Sequence, residues 1–279
     1  TVIIGSAKGP YINDVIGHRY IDIGMSAGSI ILGHAHQKIV DSVSAQATKG
    51  SVFVQPAKSA YSLKEKILQQ LPEKYSGVVF CNSGSEATMR AIRLARAYSG
   101  KTCIAVFSGG WHGSHDAVLV GDDYTSPENS PAPKPLSSGV PKYFLNDVIM
   151  LPYNKREAFE LIRKEADRIA LVMIEPVQGS NPRSDIDWFL RELSQVCHET
   201  GVIFAFDESI TGHRLELGGA VKHFDLSPDI ITYGKILGGG LPIGAVVFTE
   251  RIASAVFKNP KLPFFTGGTF SANPMTMEA

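Results

Sequence analysis

Apolar residues in this chain gather into short runs separated by stretches with a helical repeat. From Gly77 onward the runs are Val78 to Cys81, Thr102 to Phe107, Ile169 to Ile174, Val202 to Phe206, Ile230 to Tyr233 and Ala245 to Phe248. They are rich in β-branched residues and nearly free of polar ones, the pattern of strands buried on both faces. Between them, Ala87, Ala91, Ala95 and Tyr98 recur at helical spacing, with Arg90 and Arg93 expected to face elsewhere. Trp188 to Thr200, closed by Gly201 at a C′ position, predicts a second helix. The alternation predicts an α/β fold with a mainly parallel central sheet flanked by helices.

The first 70 or so residues read differently. Gly9 to Ile23 is patterned as a hairpin around Gly17-His18, and Ile39 to Ala47 and Ser62 to Leu71 carry helical spacing. Residues 1–70 are therefore expected to form an N-terminal lead-in to a large domain over 71–279. The stretch 122–141 holds Pro127, Pro131, Pro133, Pro135 and Pro141 among serines, without periodicity. A structureless stretch of roughly 20 residues in a compact domain is uncommon, and is usually an active-site lid or disordered. No internal repeat is evident. At the C-terminus, Asn273 to Ala279 starts like a helix with Pro274 just inside it and then stops, so the chain is expected to be cut from something longer.

Composition narrows the classes. With 279 residues and 44% hydrophobic content, the chain can bury the core of one large α/β domain or two smaller ones. Lys plus Arg (27) balances Asp plus Glu (27), so no overall field favours nucleic acid or an anionic membrane, and neither partner is expected. No apolar stretch approaches the ~20 residues that span a bilayer. Cys81, Cys103 and Cys197 are an odd number without a C-x-x-C pair, which fits a reducing, cytoplasmic setting.

Three places carry candidate chemistry. Asn82-Ser83-Gly84-Ser85-Glu86-Ala87 lies between a predicted strand and a predicted helix, where small residues and free backbone N–H groups can receive a phosphate. The same residues would also serve as an ordinary capped turn, and their spacing matches neither G-x-G-x-x-G nor the P-loop. Asp207 follows the apolar run ending at Phe206, so it should emerge at a strand's carboxyl end, where open α/β sheets place ligands. A buried carboxylate needs a cationic partner; a protonated heterocyclic nitrogen is one, and Arg214 is another. Its neighbour Glu208 should point to the opposite face. Lys235 sits directly after an apolar strand and before Gly238-Gly239-Gly240. A lysine held out of water there could act as a nucleophile and form an imine, although a lone lysine after a strand can also be purely structural.

In this order, the three places resemble the class III aminotransferases that depend on pyridoxal 5′-phosphate (PLP), of fold type I, and especially the glutamate-1-semialdehyde aminomutase branch. The resemblance spans essentially the whole chain. It rests on Ile30-Ile31-Leu32-Gly33-His34-Ala35-His36, Asn82 to Ala87, Trp111-His112-Gly113, Glu175-Pro176-Val177, Asp207-Glu208, Gly234-Lys235 and Gly267-Gly268-Thr269-Phe270. It implies that Lys235 carries PLP covalently and moves the proton, that Asp207 pairs with the pyridine nitrogen, and that Ser83, Gly84 and Ser85 hold the phosphate. Trp111 stands where the family commonly has a tyrosine stacked on the ring, and His112 completes that motif. Glu175 matches a glutamate near the cofactor, and is equally readable as a structural strand-end carboxylate. Thr269 matches a residue that reaches the phosphate of a neighbouring subunit, which implies a homodimer with shared active sites.

Two residues depart from the family pattern. Ser209 stands where a small aliphatic residue is usual and would make the opposite ring face more polar; His213 replaces an aromatic. His34 and His36, or His112 and His115, could suggest a metal by spacing, but no Cys or carboxylate cluster completes a site, so no metal is expected. Arg183 and Arg191 are expected on solvated faces. The segments 217–220, 232–235 and 240–244, with the Pro-rich stretch, resemble aminotransferase domains of polyketide and non-ribosomal-peptide synthases. The expected reaction is therefore transfer of an amino group from an amino donor to a carbonyl acceptor, for which a ketoacyl thioester on an acyl carrier protein is one candidate form, with glutamate-1-semialdehyde aminomutase activity as the alternative. The family's C-terminal small domain is expected to be absent from this sequence. A non-catalytic binding module would be expected to lose Lys235 or Asp207, and a nicotinamide-dependent dehydrogenase would need the missing dinucleotide fingerprint.

Overall fold

A computed structural model describes residues 1–122, 132–258 and 263–279. Strands β1 (Ile4–Lys8), β2 (Tyr11–Asp14) and β3 (Arg19–Ile21) form an antiparallel meander. The β2–β3 pair is the hairpin anticipated over Gly9 to Ile23, and Asp14 closes its turn by accepting from the backbone N–H groups of Ile16 and His18. β1 is an addition to the expected pair. A single turn, α1 (Met25–Gly28), leads into α2 (Gln37–Ala47) and α3 (Lys58–Gln69).

The main body then alternates β4 (Tyr75–Cys81), α4 (Gly84–Ser99) and β5 (Cys103–Phe107). A small ribbon of β6 (Val120–Gly121) and β7 (Lys134–Pro135) precedes β8 (Val148–Leu151) and α5 (Glu157–Glu165). Next come β9 (Ile169–Ile174), α6 (Asp187–Thr200), β10 (Ile203–Glu208), α7 (Gly219–His223) and β11 (Ile230–Tyr233). β12 (Gly244–Thr249), α8 (Glu250–Phe257) and α9 (Pro274–Glu278) end the chain. The seven-stranded sheet has the order β4-β12-β11-β10-β9-β5-β8, parallel except for β12, which pairs antiparallel with both neighbours. All six expected strands are present in it. The sheet also holds β8, a seventh strand beyond the six expected.

The strand residues divide by their period of two between two cores. Ala105, Phe107, Val172, Ile174, Phe204, Phe206, Ile231 and Val247 face α3, α5, α6 and α7, while Ile104, Val106, Leu171, Met173, Ile203, Ala205 and Val246 face α4 and α8. Burial on both faces explains why these strands read as unbroken apolar runs. Of the Pro-rich stretch, Lys134–Pro135 pairs with Val120–Gly121, whereas the part at 123–131 lies outside the described residues. Among the described residues no helix is long and apolar enough to cross a membrane.

Candidate active site

Parallel strands bring their carboxyl ends to one edge of the sheet, and the conspicuous polar residues lie just past those ends. β4 leads into Asn82 to Ser85, β5 into Ser108 to Gly113, β9 into Glu175, β10 ends on Asp207 and Glu208, and β11 leads into Gly234-Lys235. A cleft of about 140 Å³ opens there, lined among others by Gly84, Ser85, Trp111, His112, Glu175, Asp207, Ser209 and Lys235. A larger cavity, about 490 Å³, lies at the opposite edge, where lining side chains satisfy one another, as Arg251 does with Asp229 (2.8 Å). The strand-end rule for α/β sheets favours the smaller cleft as the functional one.

Helix α4 begins with a side-chain cap. The hydroxyl of Ser83 accepts from the backbone N–H of Glu86 (3.1 Å), and Glu86 Oε2 accepts from the N–H of Asn82 (2.6 Å). Ser83 is thus the N-cap and does not line the cleft. Gly84 and Ser85, which do, are the first helical residues, whose N–H groups have no partner within a helix. The Trp111-His112-Gly113 segment is pressed against this turn: Thr88 Oγ1 donates to the carbonyl of His112 (2.6 Å), and Ser85 Oγ accepts from Ser114 N (3.0 Å). Gly113 has φ +111°, and a Cβ there would lie 2.6 Å from Ser85 Oγ, so both conformation and space require glycine.

Asp207 is buried and has its oxygens largely occupied. His112 Nδ1 donates to Oδ2 (2.8 Å), while Thr232 Oγ1 (2.8 Å) and Ser209 N (3.1 Å) donate to Oδ1. Burial alone would raise its pKa, but the bond and charge of His112, with the other donors, hold it below the usual carboxylate range. For His112 burial works toward the neutral ring, yet Asp207 and Glu175 raise its pKa overall, and its Nε2 is buried without a partner among the described residues. Arg214, the alternative partner, instead binds the carbonyls of Ile210 and Gly28. Glu175 accepts from Trp111 N (2.8 Å) and Gly179 N (3.4 Å), and burial pushes its pKa up against those bonds.

Lys235 is half-buried and takes a left-handed φ of +45°, a conformation unusual for a residue with a Cβ. Among the described residues no hydrogen bond or ion pair engages its amine. Trp111 flanks the cleft and is 54% exposed. Thr269 lies away from this cleft on an exposed loop. His213 stacks on Tyr233, two residues before Lys235, at 5.4 Å between centroids. No group of three or more His, Cys, Asp or Glu residues that could hold a metal occurs among the described residues. Thr232 escaped the reading of the sequence; its signal is register, since it lies opposite Asp207 in the β10–β11 ladder.

One cleft brings together an amine that no described residue engages, a carboxylate held below its usual pKa, the first turn of a helix and an aromatic wall, a set of groups that could receive a flat, phosphorylated, basic heterocycle. The chain belongs to the class-III aminotransferase family, which matches residues 1–279. It is 40% identical over 279 residues to a glutamate-1-semialdehyde 2,1-aminomutase of Hyperthermus butylicus, covering 98% of this chain and 63% of that protein. Its fold matches an omega-transaminase from Sphaerobacter thermophilus with a TM-score of 0.91 at 33% identity, covering 99% of this chain and 64% of that one. A transaminase solved with PLP bound matches with a TM-score of 0.89 at 31% identity, covering 99% of this chain and 65% of that one. The chain therefore spans less than two thirds of the length of these relatives. Its fold is that of the type I PLP enzymes, and PLP is the family's cofactor.

Proposed function

We propose that the protein transfers an amino group from an amino donor to a carbonyl acceptor, with PLP held in the cleft at the sheet's carboxyl edge. The observation that carries the proposal is the meeting, in one cleft, of a Lys235 amine that no described residue engages with an Asp207 carboxylate held below its usual pKa. The residues fit the cofactor. Gly84 and Ser85 offer backbone N–H groups for the phosphate, Trp111 offers a ring face, Asp207 offers an anion for the pyridine nitrogen, and Lys235 offers the amine. When bound, PLP supplies an electron sink for the carbon losing its proton.

The side chains divide the remaining work. Lys235 would anchor the cofactor through its amine, and the same amine is placed to take up and return the substrate proton. Asp207 would pair with the ring nitrogen and favour its protonated form, and His112, Thr232 and Ser209 N hold that carboxylate in place. Ser209 faces Gly84 across the cleft, where its Oγ would be 3.0 Å from a Cβ. Thr269, on its exposed loop, serves the site of a second copy of the chain.

Transfer between two substrates is supported by the named activities of the solved transaminases at 33% and 31% identity. The second reading, isomerisation within glutamate-1-semialdehyde, is supported by the aminomutase at 40% identity. Purified protein supplied with PLP is expected to turn yellow, and Lys235→Ala to lose the covalent absorption band; a colourless parent protein would overturn the cofactor assignment. Release of a keto acid from an amino donor selects transamination, whereas isomerisation without a second substrate selects the mutase. Offering free and carrier-bound ketoacyl acceptors side by side tests the thioester form of the acceptor.

A further inference from the structure

Arg90 lies in the second turn of α4 and is only 3% exposed, contrary to the expectation that it faces away from the apolar side. A guanidinium is costly to bury unless its donors are satisfied. Here Nη1 donates to the carbonyl of Phe80 (2.8 Å), and Nη2 donates to the carbonyl of Gly267 (3.2 Å) and to Ser271 Oγ (3.2 Å). Glu86 Oε1 stands 3.7 Å away, and the other oxygen of that carboxylate holds Asn82 N at the start of the cleft turn. One side chain therefore joins the end of β4, the helix that opens the cleft, and the loop that carries Thr269.

That loop is wrapped closely around the guanidinium. A Cβ at Gly268 would lie 2.7 Å from Ser271 Oγ and 3.3 Å from Arg90 Nη2. Its other ties among the described residues are local or long: Ser271 N donates to Gly268 O (3.0 Å), Asn273 N and Nδ2 donate to Phe270 O (3.2 and 3.0 Å), and Arg93 Nη1 reaches Phe265 O at 3.5 Å. A planar fork with several directed donors holds two segments in a fixed geometry, whereas the three donors of a lysine ammonium radiate from one nitrogen and fix them less firmly.

We infer that Arg90 is a positioning residue that sets the Gly267–Ser271 loop against α4, and so fixes where Thr269 is presented to the cofactor phosphate of a neighbouring subunit. The link to cofactor rests on the reading of Thr269 given above; the link to the loop rests on contacts within this chain. The test uses PLP-loaded protein and four variants: Arg90→Met, Arg90→Lys, Thr269→Ala and the Met–Ala double variant. Hydrogen exchange over 263–279 and PLP dissociation constants are measured for each.

Arg90→Met is expected to speed exchange at 267–271 and to weaken PLP binding about tenfold, the scale of a lost charge-assisted hydrogen bond. Arg90→Lys should recover little of either. The double variant should bind PLP no worse than the weaker single variant, because both changes remove the same contribution. Parent-like exchange at 267–271, or single losses that multiply in the double variant, would overturn the inference. If Thr269→Ala alone leaves PLP binding unchanged, the reading of Thr269 fails, and loop exchange still decides the role of Arg90. Should the Met variant not fold, the same measurements on Arg90→Lys decide: parent-like exchange and affinity there refute the two-segment staple.

Discussion

At the end of β10 the chain sets two carboxylates side by side, and their surroundings move their proton affinities in opposite directions. Asp207 meets His112 and stays ionised. Glu208 points to the other face, accepts from Ala220 N (2.7 Å), Val221 N (3.0 Å) and Thr211 Oγ1 (3.0 Å), and is pushed by burial from an ordinary 4.5 up to about 7. Between those values the folded protein keeps a proton that the unfolded chain has lost. Its stabilising contribution is therefore full below pH 4.5 and is lost as pH rises through about 7, an effect on the order of 3 kcal/mol. Glu208→Gln should flatten that dependence, so the gap in melting temperature between parent and variant should change from pH 4.5 to 7. Parallel calorimetric profiles would show that Glu208 does not titrate there. The lowered pKa of Asp207 works the other way, with stability present above the usual carboxylate range and lost on acidification.

At the scale of elements, α4 shows how a cap and a ligand turn share a few residues. Because the hydroxyl of Ser83 is spent on Glu86 N, Ser83→Ala should cost about 1 kcal/mol of stability and leave PLP affinity nearly unchanged. Ser85→Ala, which removes the acceptor of Ser114 N beside the cleft, should weaken PLP binding more than Ser83→Ala does. Urea unfolding and PLP titration of the two variants separate the roles. The strand-to-helix turn itself was legible in the sequence, since a small polar cap followed by a glutamate three residues on is a local signal. Which serine caps and which faces the cleft was not, because that depends on where Gly113 docks. Arg90 was misplaced for a related reason. It sits three residues after Ala87 and one before Ala91, next to the apolar stripe, but its charge argued for solvent, and its acceptors come from Phe80 and from a loop more than 170 residues away. β8 is short and follows the Pro-rich stretch, and only pairing with β5 reveals it.

Over the whole molecule, the two-core arrangement was the most legible feature, because strands buried on both faces leave a continuous apolar record. The gathering of residues as far apart as 84 and 235 was not encoded locally; it follows from parallel strands ending on one edge. On the proposed role of the cleft, the core on the face away from α4 contributes stability without lining it. Phe189 is fully buried and packs against Phe107 (5.7 Å), Tyr153 (6.0 Å), Phe159 (5.0 Å) and Trp188 (5.6 Å) on the face away from α4. Phe189→Ala should cost about 3–5 kcal/mol. PLP affinity measured on the fraction that stays folded should change little; a large loss there would mean that core and cleft are coupled.

The left-handed backbone of Lys235 carries a further implication. Glycine or asparagine would occupy that conformation with less strain, so any drift toward stability at this position runs against keeping the amine. On the proposed role, a lysine persisting there marks ongoing selection. Descendants released from the reaction would be recognised by their loss of lysine at this position while the sheet around it stayed intact.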